Sequence, residues 1–404
     1  MPTPIITSLL DMDLYKFTVQ QMVLHRFSNV NAVYSFTCRN ADKIDFFKYV
    51  THDLIKQHLG DLELLTLTAE EGVYLGKADY VKSSYHNHLL CTRLNPKIHL
   101  DLKQVGEKWT LKARGPWLNI ILFETLVLSI VNELYAREYI RINKLNTEDI
   151  LKTGRERLTA KIEFLKAYNE HVTHVPALIE FGTRRRFSAA WQEEVLETLK
   201  RELPTNLIGT SNVHLAHKYN LKAIGTFGHE YVMALQGLFP LQHAQKQAFR
   251  IWLEEYEGKW GIALTDTYGD PKFCHDFSLE LARGFDGVRH DSGDPIAFGE
   301  MMIAHYLKLG IDPKTKRIVF SDGLDFPEMV KIHKCFEGRI NVSFGIGTNL
   351  TNDMGIPVPQ VVMKVVECHG QPVAKLSNNP SKNSCEDEAY FKYLVHAVNN
   401  FITA

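Results

Sequence analysis

One pattern recurs from about Val175 onward and constrains the fold more than any other feature. A short apolar run ends in a glycine or aspartate turn, and a segment with helical periodicity follows. The turns are marked by Gly182, Gly209, Gly225, Asp266, Asp291, Asp322 and Gly347. Their spacings are 27, 16, 41, 25, 31 and 25 residues, which suit a strand followed by a crossover helix. The pattern predicts seven successive parallel βα units.

Seven βα units can close into a barrel or form an open, doubly wound sheet. Chemically reactive residues follow most of the runs, at the strand ends where a barrel carries its site. An open sheet would instead gather them at one switch point. We therefore expect an α/β protein with an irregular parallel β/α barrel at residues 121–354. A second, α+β domain is expected from residues 1–120 and 355–404 together.

The region before the barrel mixes strand and helix patterns. Residues 31–38 alternate like a strand, and residues 98–111 resemble a hairpin around Gly106. A long apolar helix is predicted at residues 118–141. Polar residues interrupt its most apolar part at Asn119, Glu124, Asn132 and Glu133. We therefore expect a buried helix rather than a membrane span.

The charges of the chain nearly cancel, with 46 Lys and Arg against 47 Asp and Glu. This balance argues against nucleic-acid binding through a global positive field, so any anionic ligand must meet local cations. The six cysteines form no CxxC pair, which suggests neither a zinc site nor a disulfide framework. The N-terminus has acids where a signal peptide would be apolar. We expect a cytoplasmic protein without nucleic-acid or membrane partners.

Several strand ends carry residues that suit an anion. Guanidinium groups fork onto phosphate or carboxylate, while glycines and hydroxyls before a helix can cradle phosphate. The candidates are Arg184 and Arg186 after the first run, Thr210 and Ser211 after the second, and Gly345, Gly347 and Thr348 after the seventh. Each motif alone is also common as an ordinary turn or helix cap.

A histidine after the third run is the candidate nucleophile. His229 follows two glycines and a threonine that leave its ring accessible, in the sequence GTFGHE. An imidazole nitrogen is nucleophilic when the other ring nitrogen donates to a carboxylate. Asp266, at the end of the next run, is the candidate orienting acid. The alternative is a histidine with a purely structural role.

Acidic turns follow the fifth and sixth runs. Arg289, Asp291 and Asp294 lie in one turn, and Asp322 lies in the next. Such carboxylates can hold ribose hydroxyls, or Mg²⁺ through water, although aspartate-rich turns also commonly precede helices. The absence of HExxH, GxSxG and GxxxxGK[ST] motifs removes support for the corresponding enzyme classes.

Taken in order, the motifs resemble those of one enzyme family. They are LLDMDLYK, EFGTRRRFS, IGTSN, IGTFGHE, ALTDTY, RHDSGDP, VFSDGLD and SFGIGT. This series spans nearly the whole chain and is similar to that of the bacterial nicotinate phosphoribosyltransferases. The paired-acid loop of the phosphoribosyltransferases built on an open sheet is absent.

The resemblance implies the first step of NAD salvage from nicotinate. Nicotinate and phosphoribosyl pyrophosphate give nicotinate mononucleotide and pyrophosphate, coupled to ATP hydrolysis. Mg²⁺ would be held through substrate phosphates rather than by tight protein ligands. The family's transiently phosphorylated histidine corresponds to His229, with Asp266 and Asp291 as further catalytic residues. An irregular barrel and a homodimer with a shared active site are also implied.

The same resemblance assigns substrate contacts. Arg184, with Arg186 and Arg289, would meet the nicotinate carboxylate or the phosphates. Phe181 and Tyr15 would stack on the pyridine ring. The remaining contacts are Asp291, Asp294 and Asp322 to ribose hydroxyls or Mg²⁺-bound water, and Gly345, Gly347 and Thr348 to the 5′-phosphate. Asp13 and Tyr15 are expected to reach the barrel of a neighbouring subunit, unless their segment is simply a polar first helix.

Three other functions compete with this one. A nicotinamide-using relative would favour an acid after Gly209-Thr210, and the neutral Ser211 favours nicotinate instead. A catalytically silent metabolite-binding barrel would not need His229 together with all the strand-end acids. An aldolase-type barrel would need a Schiff-base lysine, which none of the strand ends offers.

Overall fold

In the computed structural model, which describes residues 4–403, six of the seven apolar runs form parallel strands. The strands are β1 Asn31–Cys38, β2 Leu100–Val105, β3 Lys108–Pro116, β4 Ala177–Glu180, β5 Leu207–Thr210, β6 Ile262–Leu264, β7 Gly287–His290, β8 Arg317–Phe320, β9 Asn341–Ile346, β10 Val361–Cys368 and β11 Gln371–Pro372. The helices are α1 Leu14–Arg26, α2 Phe46–Tyr49, α3 His52–Gly60, α4 Ala69–Gly76, α5 Ser83–Cys91, α6 Pro96–His99, α7 Trp117–Ile120, α8 Phe123–Ile142, α9 Thr147–Asn169, α10 Ala189–Glu202, α11 Val213–Tyr219, α12 His229–Ala234, α13 Leu241–Tyr256, α14 Asp270–Asp276, α15 Leu279–Gly284, α16 Pro295–Lys308, α17 Phe326–Phe336, α18 Thr348–Thr351 and α19 Glu388–Thr403.

The parallel sheet closes into an irregular barrel. Its order is β5-β4-β9-β8-β7-β6, so the first strand of the set, β4, pairs with the last, β9. Between β5 and β6 the third run makes only one bridge, Thr210↔Ala223. The hydroxyl of Thr226 then donates to the carbonyl of Ile262 at 2.9 Å. The strand predicted at the third run is therefore wrong in this form, because the 16-residue spacing from Gly209 to Gly225 leaves room only for the two-turn helix α11 and a short return.

The helices between the strands follow the predicted periodicity with one exception. The helical periodicity of residues 273–285 predicts one helix, but the structure has a break at Phe277 and Ser278 between α14 and α15. Gly310 and Gly338 follow α16 and α17 with φ of 71° and 74°. Glycine at these positions is the sequence signal of a helix end, and the left-handed conformation confirms that the two residues end α16 and α17.

An antiparallel sheet draws on both ends of the chain. Its order is β11-β10-β1-β3-β2. The predicted strand at residues 31–38 is β1, which pairs with β10 along most of its length. The predicted hairpin is β2–β3, turning at Gly106 with φ of 61°. This sheet confirms a second α+β layer built from N- and C-terminal segments.

A long apolar segment holds the two sheets together. Trp117–Ile142, which spans α7 and α8, has the length and the mean hydropathy, 1.5, of a membrane-crossing helix, but 89% of its most apolar window is buried inside the protein. Helix α8 contacts α2 and α3 on one side, and β10 and the turn after β4 on the other. It is the core helix that the sequence predicts, and it brings β10 over the barrel mouth.

Candidate active site

A cavity of about 300 Å³ opens at the carboxyl ends of the barrel strands. Residues after β4, β7, β8 and β9 line one side, and β10 of the antiparallel sheet forms the opposite wall. Helix α8 and the N-terminal segment contribute to the remaining side. Because parallel strands of a barrel end at the same face, residues that are distant in sequence meet there.

Most of the predicted site residues lie at this cavity. Its lining includes Tyr15, Phe181, Arg184, His229, Arg289, Asp291, Asp322, Gly345, Gly347 and Thr348. Asp13 and Asp266 lie behind that lining and contact its members Arg184 and His229, and Ser211 contacts Asp13. The other predicted residues lie elsewhere, as described below.

His229 and Asp266 form a hydrogen-bonded pair at the start of α12. Nε2 of His229 lies 2.7 Å from Oδ1 of Asp266 and 3.8 Å from Oδ2 of Asp291. Burial, together with the charge of Lys375, lowers the pKa of His229 to about 4, so the ring is neutral at pH 7. A neutral ring that donates its Nε2–H to Asp266 carries its lone pair on Nδ1. The geometry therefore suits a nucleophilic Nδ1.

Asp266 is fixed by two further groups. Its Oδ2 accepts from Nζ of Lys375 at 2.6 Å and from Oγ of Ser292 at 2.6 Å. Burial alone would raise the pKa of Asp266, but the charges and hydrogen bonds of His229 and Lys375 outweigh it and lower that pKa. The ligand atoms of His229, Asp266 and Asp291 lie within 4.8 Å of one another. The ammonium of Lys375 already contacts Asp266, so these three residues are better explained by a hydrogen-bonded His229–Asp266 pair with Asp291 nearby than by a metal site.

Positive charge dominates the cavity lining. Its cations are Arg39, Arg184, Arg185, Arg289, Lys364, Lys375 and Lys382, and its acids are Glu124, Glu230, Asp291 and Asp322. Burial and the nearby Lys375 and Arg39 lower the pKa of Lys364 to about 7. Burial and the adjacent Arg184 likewise lower the pKa of Arg185 to about 10. A concave site with excess cations attracts a polyanion such as a pyrophosphate or triphosphate.

An aromatic ring and two glycines shape the side of the cavity at β9. The guanidinium of Arg289 lies 5.7 Å from the ring centre of Phe181. A Cβ at Gly345 would lie 2.3 Å from that ring, and one at Gly347 would lie 2.8 Å from the Phe181 carbonyl oxygen. The two glycines therefore make room for Phe181. This packing role explains their presence in addition to the proposed phosphate contact.

Two predicted substrate contacts are structural instead. Arg186 is 1% exposed and donates to both carboxylate oxygens of Asp11, at 2.6 and 2.7 Å. The hydroxyl of Thr210 donates to Oε2 of the buried Glu180 at 2.6 Å. Neither side chain lines the cavity, so the structure does not bring Arg186 or Thr210 together with the other predicted substrate contacts.

Asp294 and Ser211 also differ from expectation. Asp294 is exposed outside the cavity, and its Oδ1 caps α16 by accepting from the backbone N–H of Ala297 at 2.7 Å. Ser211 does not line the cavity, because its hydroxyl donates to Oδ1 of Asp13 at 2.6 Å. Oδ2 of Asp13 in turn lies 3.2 Å from Nε of Arg184. Ser211 therefore contacts the site only through Asp13.

The N-terminal segment contacts the barrel of its own chain. The backbone N–H of Leu14 donates to the Ser211 carbonyl at 2.7 Å, and Asp13 accepts from the hydroxyl of the same residue. The hydroxyl of Tyr15 donates to Glu124 at 2.9 Å. Asp13 and Tyr15 therefore contact the site of their own chain, and a contribution of these residues to the barrel of a neighbouring subunit stays a prediction.

Sequence reasoning missed the cations that β10 and the following segment bring to the cavity. Lys364 interrupts the apolar run VVMKVVEC, and an isolated lysine in such a run is a recognisable signal of an inward charge. Lys375 and Lys382 carried no such signal. Arg185 was part of the basic triplet, but the triplet alone does not show that Arg185 and not Arg186 faces the cavity.

Comparisons with known proteins agree with this geometry. The model of the nicotinate phosphoribosyltransferase family matches residues 177–401, and that of the family's N-terminal domain matches residues 10–132. The nicotinate phosphoribosyltransferase of Cupriavidus necator is 46% identical over 394 residues, covering 96% of this chain and 97% of the relative. That of Burkholderia ambifaria is 45% identical, covering 96% of each chain.

Solved structures show the same likeness. The crystal structure of nicotinate phosphoribosyltransferase from Vibrio cholerae matches with a TM-score of 0.90 and 37% identity, covering 99% of this chain and 95% of that one. The enzyme from Porphyromonas gingivalis matches with a TM-score of 0.88 and 31% identity, covering 98% and 100%. These matches span both sheets and the cavity between them. The chain therefore belongs to the nicotinate phosphoribosyltransferase family and is an enzyme of this type.

Proposed function

We propose that this enzyme couples phosphoribosyl transfer to ATP hydrolysis through a phosphorylated His229. The observation that carries the proposal is the His229–Asp266 pair, whose neutral ring lies in the lining of a cavity rich in cations. In this arrangement Nδ1 attacks the γ-phosphorus of ATP, the bond to the bridging oxygen breaks, and ADP leaves. Asp266 stabilises the positive charge that the ring gains on phosphorylation.

The cations of the cavity hold the phosphates in both half-reactions. Arg39, Arg185, Lys364 and Lys382 can neutralise charge on a bound triphosphate or pyrophosphate. Burial alone would raise the pKa of Asp291, but Arg289 and His229 outweigh it and lower that pKa. The carboxylate is therefore ionised and can accept a hydrogen bond from a water molecule bound to Mg²⁺. When bound to the substrate phosphates, Mg²⁺ supplies further charge neutralisation.

Transfer to nicotinate then needs a leaving pyrophosphate and an oriented ring. The pyridine nitrogen forms a bond to ribose C1 as the bond from C1 to the pyrophosphate oxygen breaks. Phe181 and Tyr15 offer aromatic faces to the ring, and Arg184 offers a fork to its carboxylate. The guanidinium of Arg184 lies 5.7 Å from the ring centre of Tyr15. It is therefore at the end of the cavity where the pyridine would lie. Water finally hydrolyses the phosphohistidine to release phosphate.

Two neighbouring arginines allow a matched test of carboxylate recognition. Arg184→Gln is expected to raise the KM for nicotinate roughly 10- to 150-fold, the size of a lost charge-assisted bond. Arg185→Gln is the control, because Nε of Arg185 donates to the carbonyl of Val361 on β10 at 3.1 Å, whereas Arg184 lies against the Tyr15 ring; the control should raise the KM of a phosphate substrate instead. Steady-state kinetics with each substrate varied in turn measures both. Equal nicotinate KM values for the two variants would contradict the assignment.

Substrate choice between acid and amide offers a second test. Ser211→Asp places a second carboxylate against Asp13. The added negative charge draws Arg184 away from the substrate and repels the carboxylate of nicotinate. We expect nicotinate use to lose about 1–3 kcal/mol relative to nicotinamide use. The ratio of kcat/KM for the two substrates measures the change, with the neutral Ser211→Asn as control. A ratio that is the same in both variants would show that charge at this position does not act on the substrate.

The lowered pKa of His229 predicts an unusual pH profile. The neutral, nucleophilic ring is present above its pKa and is lost as the pH falls through about 4, rather than through about 6.5 as for a free histidine. Lys375→Met removes a cation that lowers this pKa, so the acid limb should move to higher pH. Initial rates of phosphoenzyme formation, with fluorescence to verify folding at each pH, give the midpoint. A wild-type midpoint near 6.5 would contradict a neutral, buried dyad.

One assay tests the coupling as a whole. The protein is mixed with phosphoribosyl pyrophosphate and either nicotinate or nicotinamide, with and without ATP, and the mononucleotide is quantified. We expect nicotinate mononucleotide, faster formation with ATP, and release of ADP and phosphate in parallel. Formation at a rate independent of ATP, with no ADP released, would reject the coupling while leaving the transferase activity intact.

A further inference from the structure

Lys16 is a fully buried cation that no step of the reaction uses. Its ammonium contacts the carboxylates of Glu124 and Glu230, and all three side chains are at most 9% exposed. A buried ion cluster of this kind is often no more stabilising than apolar side chains of the same volume. Its presence beneath the cavity therefore points to a role in the arrangement of the site.

Glu124 connects Lys16 to the side chains that would face the pyridine ring. Its Oε2 accepts from the Tyr15 hydroxyl at 2.9 Å, and its Oε1 lies 3.8 Å from a terminal nitrogen of Arg184. Burial alone would raise the pKa of Glu124, but Lys16 and Arg184 outweigh it and lower that pKa. Glu124 is thus an ionised carboxylate between one buried cation and two cavity groups.

Glu230 connects the same ammonium to the nucleophile. It directly follows His229 in the first turn of α12, and its Oε2 accepts from Lys16. Burial and the nearby Glu124 raise the pKa of Glu230 to about 7, so Lys16 is the group that keeps the two acids together. One side chain of α1 therefore joins the helix of His229 to Glu124.

We propose that Lys16 is a positioning residue for the pyridine substrate. By fixing Glu124, it holds the Tyr15 ring and the Arg184 guanidinium in place at the cavity, without touching the substrate itself. The inference rests on the proposed role of Arg184 in binding the nicotinate carboxylate. It predicts that loss of Lys16 affects nicotinate binding far more than the binding of phosphoribosyl pyrophosphate.

A second buried lysine supplies the control. Lys272 is 1% exposed and pairs with Asp276 outside the cavity lining. Lys272→Met therefore also removes a buried, paired ammonium, but one that is not connected to Glu124 or to the cavity. We expect Lys16→Met to raise the nicotinate KM about tenfold or more and to leave the KM for phosphoribosyl pyrophosphate within about twofold. Lys272→Met should change neither KM. Equal changes in both KM values for Lys16→Met would overturn the proposal.

A double variant separates positioning from charge neutralisation, including the case in which Lys16→Met alone does not fold. Lys16→Met combined with Glu230→Met removes one acid with the cation and should recover the melting temperature. The nicotinate KM should stay raised, because Glu124 then lacks the buried ammonium that fixes it and keeps only its contacts with Tyr15 and Arg184. A normal nicotinate KM in a folded double variant would show that Lys16 only neutralises charge. If Arg184→Gln leaves the nicotinate KM unchanged, the failure lies in the proposed function instead.

Discussion

Replacing His229 by alanine is expected to abolish ATP hydrolysis and the acceleration of transfer by ATP. Alanine removes the only group in the cavity lining that combines a neutral imidazole with an orienting carboxylate at 2.7 Å. The cations and aromatic rings remain, so slow, ATP-independent formation of nicotinate mononucleotide should persist. Parallel measurement of ADP and mononucleotide, with and without ATP, gives both quantities.

The control for this variant is His275→Ala. Nδ1 of His275 lies 3.2 Å from Asp276, in another histidine–aspartate contact, but it is outside the cavity lining. The His275→Ala variant should retain ATP hydrolysis and the acceleration of phosphoribosyl transfer by ATP. ATP hydrolysis at the normal rate in His229→Ala would show that the phosphate passes directly from ATP to water or to another residue.

Replacing Asp266 by asparagine is expected to slow phosphoenzyme formation by about 10²- to 10⁴-fold. An amide can no longer stabilise the charge that the ring gains, and it can hold the ring in the wrong tautomer. Lys375 also loses its carboxylate partner at 2.6 Å. Rapid-quench measurement of the phosphoenzyme under single-turnover conditions reports this step separately from product release.

The chain contains a closely matched control for that change. Asp276 is a buried acid that also contacts a lysine and a histidine, Lys272 and His275, away from the cavity lining. Asp276→Asn should lower stability without slowing phosphoenzyme formation. If the two asparagine variants slow that step equally, the effect of Asp266 is one of general stability and not of chemistry.

The repeated runs predict the barrel because each run is long enough to form a strand and each crossover long enough for a helix. The third run fails as a strand, since its preceding spacing of 16 residues is the shortest of the set. The break between α14 and α15 at Phe277 and Ser278 was not predictable from periodicity, because apolar residues continue through it. Local pattern therefore predicts which elements exist better than where they are interrupted.

The site was predictable where its residues follow parallel strands, since those ends must meet. Asp266 follows β6, and the third run is held to Ile262 of that strand by the Thr226 hydroxyl. His229 and Asp266 therefore come into hydrogen-bond contact although they are 37 residues apart in the chain. Asp294 lies four residues beyond the end of β7, where it caps α16, and Arg186 lies six residues beyond the end of β4, where it pairs with the buried Asp11. Spacing along a turn does not show which side chain points toward the cavity and which points away.

The cationic wall depends on tertiary packing alone. Lys364, Lys375 and Lys382 reach the cavity because β10 pairs with β1 and lies over the barrel mouth. A pairing between strands more than 300 residues apart leaves no local pattern. The same holds for Lys16, whose two acidic partners are on α8 and α12.

Mapping the phosphate that ATP leaves on the protein tests the role of His229 most directly. The enzyme is mixed with ATP labelled at the γ-phosphate, quenched in alkali to preserve an acid-labile phosphate, digested and analysed peptide by peptide. We expect the label on His229, its loss in acid, and its disappearance when nicotinate and phosphoribosyl pyrophosphate are added. A label on another residue, or ATP hydrolysis coupled to transfer with no labelled peptide, would contradict phosphorylation of His229.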